Sequence, residues 1–469
     1  MSTEELNDIH SRLNATTPAE IHNPTTVEQI QALVKKAAAD GQAVGICGAK
    51  HSMGGQQFIS GGIQLDLSEF KKVIGLDSER GIVTAQAGIF WPALIDWLLA
   101  NQPEGIGGWG IRQKQTGGDE MSIGGGMGTN IHGRGLDMKP LVDDIESFEL
   151  IQADGKLVKV DREHDLFGLV IGGYGLFGVV TQVSLRLEKR QKLVRKVEVA
   201  QLKDVPKLVE QRIADGYRFG DYQFKTDEKA DDFLEKGVFS FYKPVANDTP
   251  MPEGQKTLSE LDWGKLYYLA HEDKAGAYQK YVDFYMSSDG QHYWSDTHQL
   301  GWYVTGHDDK VDAARDSRAE GSLMICEFYV KRNDLPEFLR NMGKSVIANN
   351  ADLIYGTVRY IEKDDKSFLA WARDDWATTV VNLRVLHDSD GIAKAKKEFQ
   401  DIIDCALDLG GSYFLTYHRW ARKDQVLKAY PRFVDFLKLK LKYDPSETFQ
   451  SEWYRHYTKM FAQELGLES

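Results

Sequence analysis

The chain has only three cysteines, Cys47, Cys326 and Cys405. They are far apart in sequence and form no CxxC pair, which excludes a disulfide framework and points to a reducing compartment. No uninterrupted apolar run reaches the roughly 18 residues of a membrane-spanning helix. Basic residues are outnumbered: 57 Lys and Arg against 70 Asp and Glu leave a formal net charge of −13. Such a chain repels phosphate backbones and anionic bilayers, so neither nucleic acid nor a membrane is an expected partner. Also missing are a GxSxG elbow, an HExxH pair and a P-loop, and the 12 histidines show no metal-ligand spacing with cysteines or acids. No metal is expected. The opening MSTEELNDIH carries acids where a signal peptide has a basic and then an apolar run. A cytoplasmic protein acting on a small molecule is the expectation, and nothing in the sequence fixes its oligomeric state.

What is present is an ordinary globular composition, 42% hydrophobic and 27% charged. At about 150 residues per domain, 469 residues make two or three domains, and two are assumed. Thr25 followed by Glu28 reads as a capping box, with Val27, Ile30, Val34 and Ala37 at helical spacing behind it and Gly41 as the stop. A short strand 43–47 then runs into a turn, Gly48-Ala49-Lys50-His51-Ser52-Met53-Gly54-Gly55-Gln56, whose glycines permit a tight bend and close approach to a ligand. Strands at 63–67, 72–76 and 82–87 and an amphipathic helix around Trp91, Leu94, Ile95, Leu98 and Leu99 make this an α+β region.

Between Gly105 and Gly135 glycine is dense, as in Ser122-Ile123-Gly124-Gly125-Gly126-Met127-Gly128-Thr129. A flexible linker would be polar throughout, whereas Met121, Ile123, Met127 and Ile131 are buried-type residues. The expectation is a backbone lying against a ligand, with N–H groups able to hold phosphates without Lys or Arg. Asp154-Gly155 between two β-rich runs suggests a type I′ hairpin. Gly173, Gly175 and Gly178 satisfy GxGxxG, but the residues that follow, 179–187, alternate like a strand, and a dinucleotide fingerprint opens a helix. Beyond about Lys189 aromatics replace the glycine clusters. The pattern strand 323–330, helix 335–347, strand 353–361, strand 378–385, helix 392–407, strand 412–417 is βαββαβ, an antiparallel sheet with helices on one face and the other face free to cover something.

The order Gly-x-x-His-Ser-Met-Gly-Gly-Gln, then Ser-Ile-Gly-Gly-Gly, then Gly-Gly-x-Gly-x-x-Gly-Val-Val-Thr resembles the flavin domain of the vanillyl-alcohol oxidase family, the PCMH-type FAD-binding flavoproteins. Ala49-Lys50 stand where many relatives have Gly-His or Gly-Gly. The resemblance implies an FAD-binding domain at 1–190, a substrate domain at 191–420 and a C-terminal segment, 421–469, that returns to the first. It implies FAD held by Gly48, Ala49, Lys50, His51, Ser52 and Gln56, covalently through His51. It also implies contacts from Thr116, Ser122, Gly124, Gly125, Gly128, Thr129, Asn130, His132 and Gly133 along the pyrophosphate and ring system. Gly178 and Val180 would meet the adenine, and Gln450 would come from the returning tail. Lys50 is expected to keep its neighbour His51 neutral.

For catalysis the resemblance is incomplete. Relatives holding an Asp just before the Gly-Gly segment have Gly117 at that position here, with Asp119 two residues on. Sugar-oxidising relatives carry an arginine on a roof strand, matched by Arg359, a glutamate two residues earlier, here Thr357, and a lysine on the last strand, absent from Tyr417-His418-Arg419. His418 is the expected base, with Tyr417 and Arg359 orienting the substrate. The expected function is FAD-dependent oxidation of a CH–OH group in a sugar-like, lactone or polyol substrate. Two alternatives stand beside it: a flavin dehydrogenase acting on an amine, and a flavin-fold binding protein without catalysis.

Overall fold

The computed structural model describes residues 4–102, 108–299, 301 and 306–467. Gly105 and Gly107 of the glycine-rich stretch lie outside them. Strand β1 (Glu20–His22) precedes helix α1 (Val27–Asp40), whose N-cap is Thr26, with Gln29 closing the box. The box is thus one residue later than Thr25 and Glu28, because the Thr26 hydroxyl, in extended backbone, is the one that reaches the N3 amide. Ile30, Val34 and Ala37 pack on β2 (Val44–Cys47) and β3 (Ile63–Asp66), which with β1 form a parallel sheet in the order β1-β3-β2.

A six-stranded sheet follows, from β4 (Val73–Asp77), β5 (Ile82–Gln86), β6 (Trp109–Ile111), β7 (Ile145–Ile151), β8 (Leu157–Asp161) and β9 (Val179–Lys189). Helix α2 (Trp91–Ala100) precedes β6, while α3 (Ile123–Thr129) and α4 (Phe167–Val170) precede β7 and β9. In the β7–β8 hairpin only Gly155 has positive φ, 75°, and Gln152 N–H bonds Lys156 O, so the turn is not type I′ but a longer loop ending in a left-handed glycine. Gly178 leads directly into β9, which alternates buried and partly exposed residues and pairs antiparallel with β5 and β7. The GxGxxG run therefore sits in no βαβ unit.

The second half builds one eight-stranded antiparallel sheet, twice the four strands legible in the sequence. Its members are β10 (Lys192–Gln201), β11 (Phe219–Phe224), β12 (Lys236–Val245), β13 (His292–Trp294), β14 (Gly321–Lys331), β15 (Leu353–Ile361), β16 (Trp376–Leu386) and β17 (Ser412–Tyr413), in the order β13-β10-β12-β11-β15-β16-β14-β17. Helix α5 (Val205–Ala214) lies between β10 and β11. Helices α6 (Glu260–Glu272), α7 (Lys274–Ser287) and α8 (Asp308–Ala314) come before β14, and α9 (Leu335–Ala348) and α10 (Ser389–Leu407) flank β15 and β16. Alternation along β14 sorts its side chains: Phe328 packs on Phe338 of α9 and Phe399 of α10, while Leu323 and Ile325 line a cavity on the opposite face. The last strand is shorter than the expected 412–417, since Leu415 and Thr416 turn their carbonyls to the His51 turn instead of to a neighbouring strand.

The tail, α11 (Lys423–Ala429), α12 (Phe433–Tyr443) and α13 (Glu452–Met460), closes onto the first sheet. Val44 N–H donates to Thr448 O at 2.7 Å and Gln450 N–H to Val44 O at 3.0 Å. Trp453 is fully buried against Tyr174 and Phe433, and its indole N–H reaches Leu415 O. Trp453→Ala should cost about 3–5 kcal/mol through the cavity it leaves. A urea midpoint corresponding to less than about 1 kcal/mol of loss would show that the tail does not anchor the fold.

Candidate cofactor and substrate site

The turn after β2 is braced from two sides. Met53 N–H donates to Thr416 O, Gln56 reaches Leu415 O at 3.0 Å, and Asn14 from the N-terminal segment reaches Met53 O at 2.8 Å. Lys50 takes a left-handed backbone, φ 62°, and among the described residues the N–H groups of Ala49, Lys50, His51 and Ser52 have no acceptor. Successive free N–H groups in a turn are an anion-binding device. A Cβ at Gly48 would stand 2.3 Å from Ser122 Oγ, so only glycine lets this turn approach α3.

His51 Nδ1 lies 2.8 Å from His10 Nε2, while His51 Nε2 is buried with no partner. Burial, with the Lys114 ammonium adding to it, lowers the His51 pKa to about 4, so the imidazole is neutral at neutral pH. Lys50, expected to exert that effect, instead directs its ammonium to Asp66 at 2.6 Å. His10 carried no sequence signal. It is positioned by Asp8, whose carboxylate accepts the His10, Ser11 and Arg12 N–H groups.

A cavity of about 840 Å³ opens beside this turn and runs under the eight-stranded sheet. Gly48, Ala49, Lys50, His51, Ser52 and Gln56 line it, as do Thr116, Ser122, Gly124, Gly125, Gly128, Thr129, Gly178 and Val180. Ser122 Oγ caps α3 on Gly125 N–H, and a Cβ at Gly128 would project into open space, with nothing within 4 Å. Four residues assigned to the cofactor stand outside the wall. Asn130 bonds Asp364 at 3.0 Å and Val142 N–H at 2.9 Å, Gln450 accepts from Arg455, and Gly133 N–H donates to Gln113. His132, fully buried, holds Glu327 at 2.6 Å through Nε2.

Among the catalytic candidates, Arg359, Tyr417 and Asp119 line the cavity and His418 does not. The His418 ring stacks on Trp420, centroids 4.5 Å apart, and burial lowers its pKa to about 4. Asp119 is held by the buried Lys114 ammonium at 2.5 Å. Arg359 donates to Gln115, whose amide in the orientation satisfying both ends also donates to His132 O. Tyr417 donates to Glu327 Oε2 at 3.4 Å. The Glu327 carboxyl is wholly buried, which raises its pKa, but His132 and Arg359 outweigh burial and hold it below the usual carboxylate value. Glu327 was not legible as a site residue. Through Val380 it pairs onto the same rung as Thr357, so the carboxylate missing at 357 stands two strands away.

These features fit a flavin dinucleotide: free backbone N–H groups for phosphate, an open space kept at Gly128, and an orphaned neutral imidazole at one end. A family model described as an FAD binding domain matches residues 18–161. Over that stretch the chain is similar to PCMH-type FAD-binding oxidoreductases. It is 28% identical over 197 residues to an uncharacterized oxidoreductase of a fasciation locus in Rhodococcoides fascians, covering 41% of this chain and 42% of that one. It is 29% identical over 189 residues to the mitochondrial L-galactono-1,4-lactone dehydrogenase of Arabidopsis thaliana, covering 40% and 30%. To an L-gulono-1,4-lactone dehydrogenase of Mycobacterium tuberculosis it is 27% identical over 169 residues, covering 36% and 37%. The chain thus spans less than half the length of the curated relatives it matches. Among the described residues no helix is long and apolar enough to cross a membrane.

Proposed function

We propose that the protein is an FAD-dependent oxidoreductase that oxidises a CH–OH group of a sugar-like, lactone or polyol substrate. The observation that carries this is one continuous cavity whose wall includes both the His51 turn and Tyr417, whose hydroxyl reaches the buried Glu327 behind the wall. The His51 turn, α3 and the residues 175–180 would hold the cofactor, with His51 Nε2, the nitrogen that His10 leaves free, making the covalent bond. Bound there, FAD would supply the hydride acceptor. Tyr417 takes the substrate's hydroxyl proton as its own passes to Glu327, which His132 and Arg359 keep ionised against the effect of burial. Arg359 orients the substrate's oxygen.

An amine is a poor alternative, because an ammonium would have to enter beside Arg359, whose Nε is buried without a partner. The relatives named as lactone dehydrogenases support a lactone or related polyhydroxy substrate over an amine. Anaerobic bleaching of the yellow protein titrated against polyols, aldoses and aldonolactones tests the reading. At least one is expected to reduce the flavin stoichiometrically without NAD. A fully flavin-loaded preparation that none of them bleaches would instead support a binding protein.

A further inference from the structure

Around the cavity the charge balance of the protein inverts. The whole chain has a net charge of −13, yet the cavity wall carries six basic side chains against two acidic ones. Lys50 is paired with Asp66, Lys274 with Glu228 and Asp352, Arg134 with Asp221, and Lys256 is exposed at the rim. Arg195 and Arg359 are 8% and 6% exposed and, among the described residues, have no carboxylate within 4.0 Å. Arg359 has the Glu327 charge close enough to lower that carboxyl. Arg195 has a cage of phenols: its guanidinium lies 5.0–5.1 Å from the ring centres of Tyr242, Tyr285 and Tyr293. It donates to Tyr242 Oη at 2.9 Å and Ser288 Oγ at 2.8 Å. Neutral oxygens and ring faces do not discharge a buried cation.

A second guanidinium, Arg134, sits 5.1 Å from the same Tyr242 ring, and its buried Nε has no partner. Asp221, 3.4 Å from Arg134, pairs with that cation and leaves Arg195 without a carboxylate within 4.0 Å among the described residues. His298, against the same tyrosine, does not add charge: burial and Arg134 push its pKa well below the usual value. Its Nδ1–H donates to Ser295 O, which leaves Nε2 as a bare acceptor in the cavity wall, suited to a hydroxyl.

We propose that the pocket around Arg195 and Arg134 is an oxyanion subsite, and that the substrate carries a carboxylate or phosphate group at the end remote from the CH–OH that is oxidised. This rests on the redox reading above, narrowing its substrate class to anionic polyols. An oxyanion forming charge-assisted bonds to Arg195 neutralises the unpaired cation, and the tyrosine faces pack the carbon skeleton behind it.

The test is calorimetric binding to the flavin-loaded protein, made anaerobic with the flavin reduced beforehand so that no turnover occurs. Sorbitol, gluconate and sorbitol 6-phosphate are compared at equal ionic strength. Gluconate, sorbitol 6-phosphate or both should bind about 10- to 100-fold more tightly than sorbitol, and which of the two wins identifies the oxyanion. Arg195→Met should remove that preference and Arg195→Lys restore part of it. Asp221→Asn, which frees the second guanidinium, should tighten anion binding, a gain that misfolding cannot mimic. Equal or absent binding of all three probes, or an anion preference indifferent to both Arg195→Met and Asp221→Asn, overturns the subsite. Anion binding without flavin reduction by the same compounds in the oxidised protein would keep the subsite and discard the redox reading. Bleaching by sorbitol with no anion preference would do the reverse.

Discussion

Acid-precipitated protein is expected to carry its yellow colour into the pellet, and His51→Ala to release it completely to the supernatant. A histidine nitrogen adds to the flavin ring only with its lone pair free, and a pKa of about 4 leaves the His51 ring neutral through the physiological range. Nδ1 is engaged by His10 at 2.8 Å, which holds the ring in place and leaves Nε2 as the nitrogen to add. The substitution removes no core packing, because His51 faces the cavity, and its turn is braced by backbone bonds to 415 and 416 that the side chain does not make. Folding should therefore survive, with a melting transition close to wild type, while the cofactor becomes exchangeable. The colour measurement separates two classes of cofactor retention. A colourless wild-type pellet would leave a non-covalent flavoprotein and would leave the fold untouched.

How much of this could be read before the structure follows from the range of each interaction. The His51 turn, the glycine-rich α3 and the strand after Gly178 are local: their glycines, caps and alternation act over a few residues and are visible in order. Partners contributed from far away are not. Glu327 meets His132 across 195 positions, and His10 meets His51 across 41, so no spacing rule links either pair. The expectation that His418 faces the cavity failed for a related reason. Adjacent residues in a strand face opposite sides, but β17 stops at Tyr413, and beyond it the chain follows carbonyl bonds to the His51 turn rather than a ladder. The four strands β10 to β13 were missed because their order is set by long-range pairing, with β11 joining β15 more than 130 residues later. The second arginine of the cavity, Arg134, follows directly on the Ile131-His132-Gly133 run, yet its role depends on a tyrosine of β12.

Tyr417→Phe is expected to lower kcat by about 100-fold or more while flavin content stays at wild-type level. The phenol is 8% exposed, lines the cavity, and is the wall group whose hydroxyl leads to a buried carboxylate, Glu327. Phenylalanine keeps the ring, which packs edge-on against Phe414, and removes only the oxygen, so structural damage should be slight. Glu327→Gln should produce a loss of similar size, because the amide cannot accept the proton that Tyr417 hands on. It also leaves His132 without its charged partner at 2.6 Å, so Tyr417→Phe is the cleaner variant. The pH dependence has a definite sign. Activity needs Glu327 ionised, and a carboxyl whose pKa is lowered stays ionised above that value and loses function only as pH falls through it. The profile of kcat/KM should accordingly show no acidic limb between pH 8 and about 5, above the ordinary carboxylate range. A limb near pH 6–7 that Tyr417→Phe leaves in place, or a Tyr417→Phe enzyme with unchanged kcat, would assign the proton to another group, and Asp119, held by Lys114 on the same cavity wall, would be next in line.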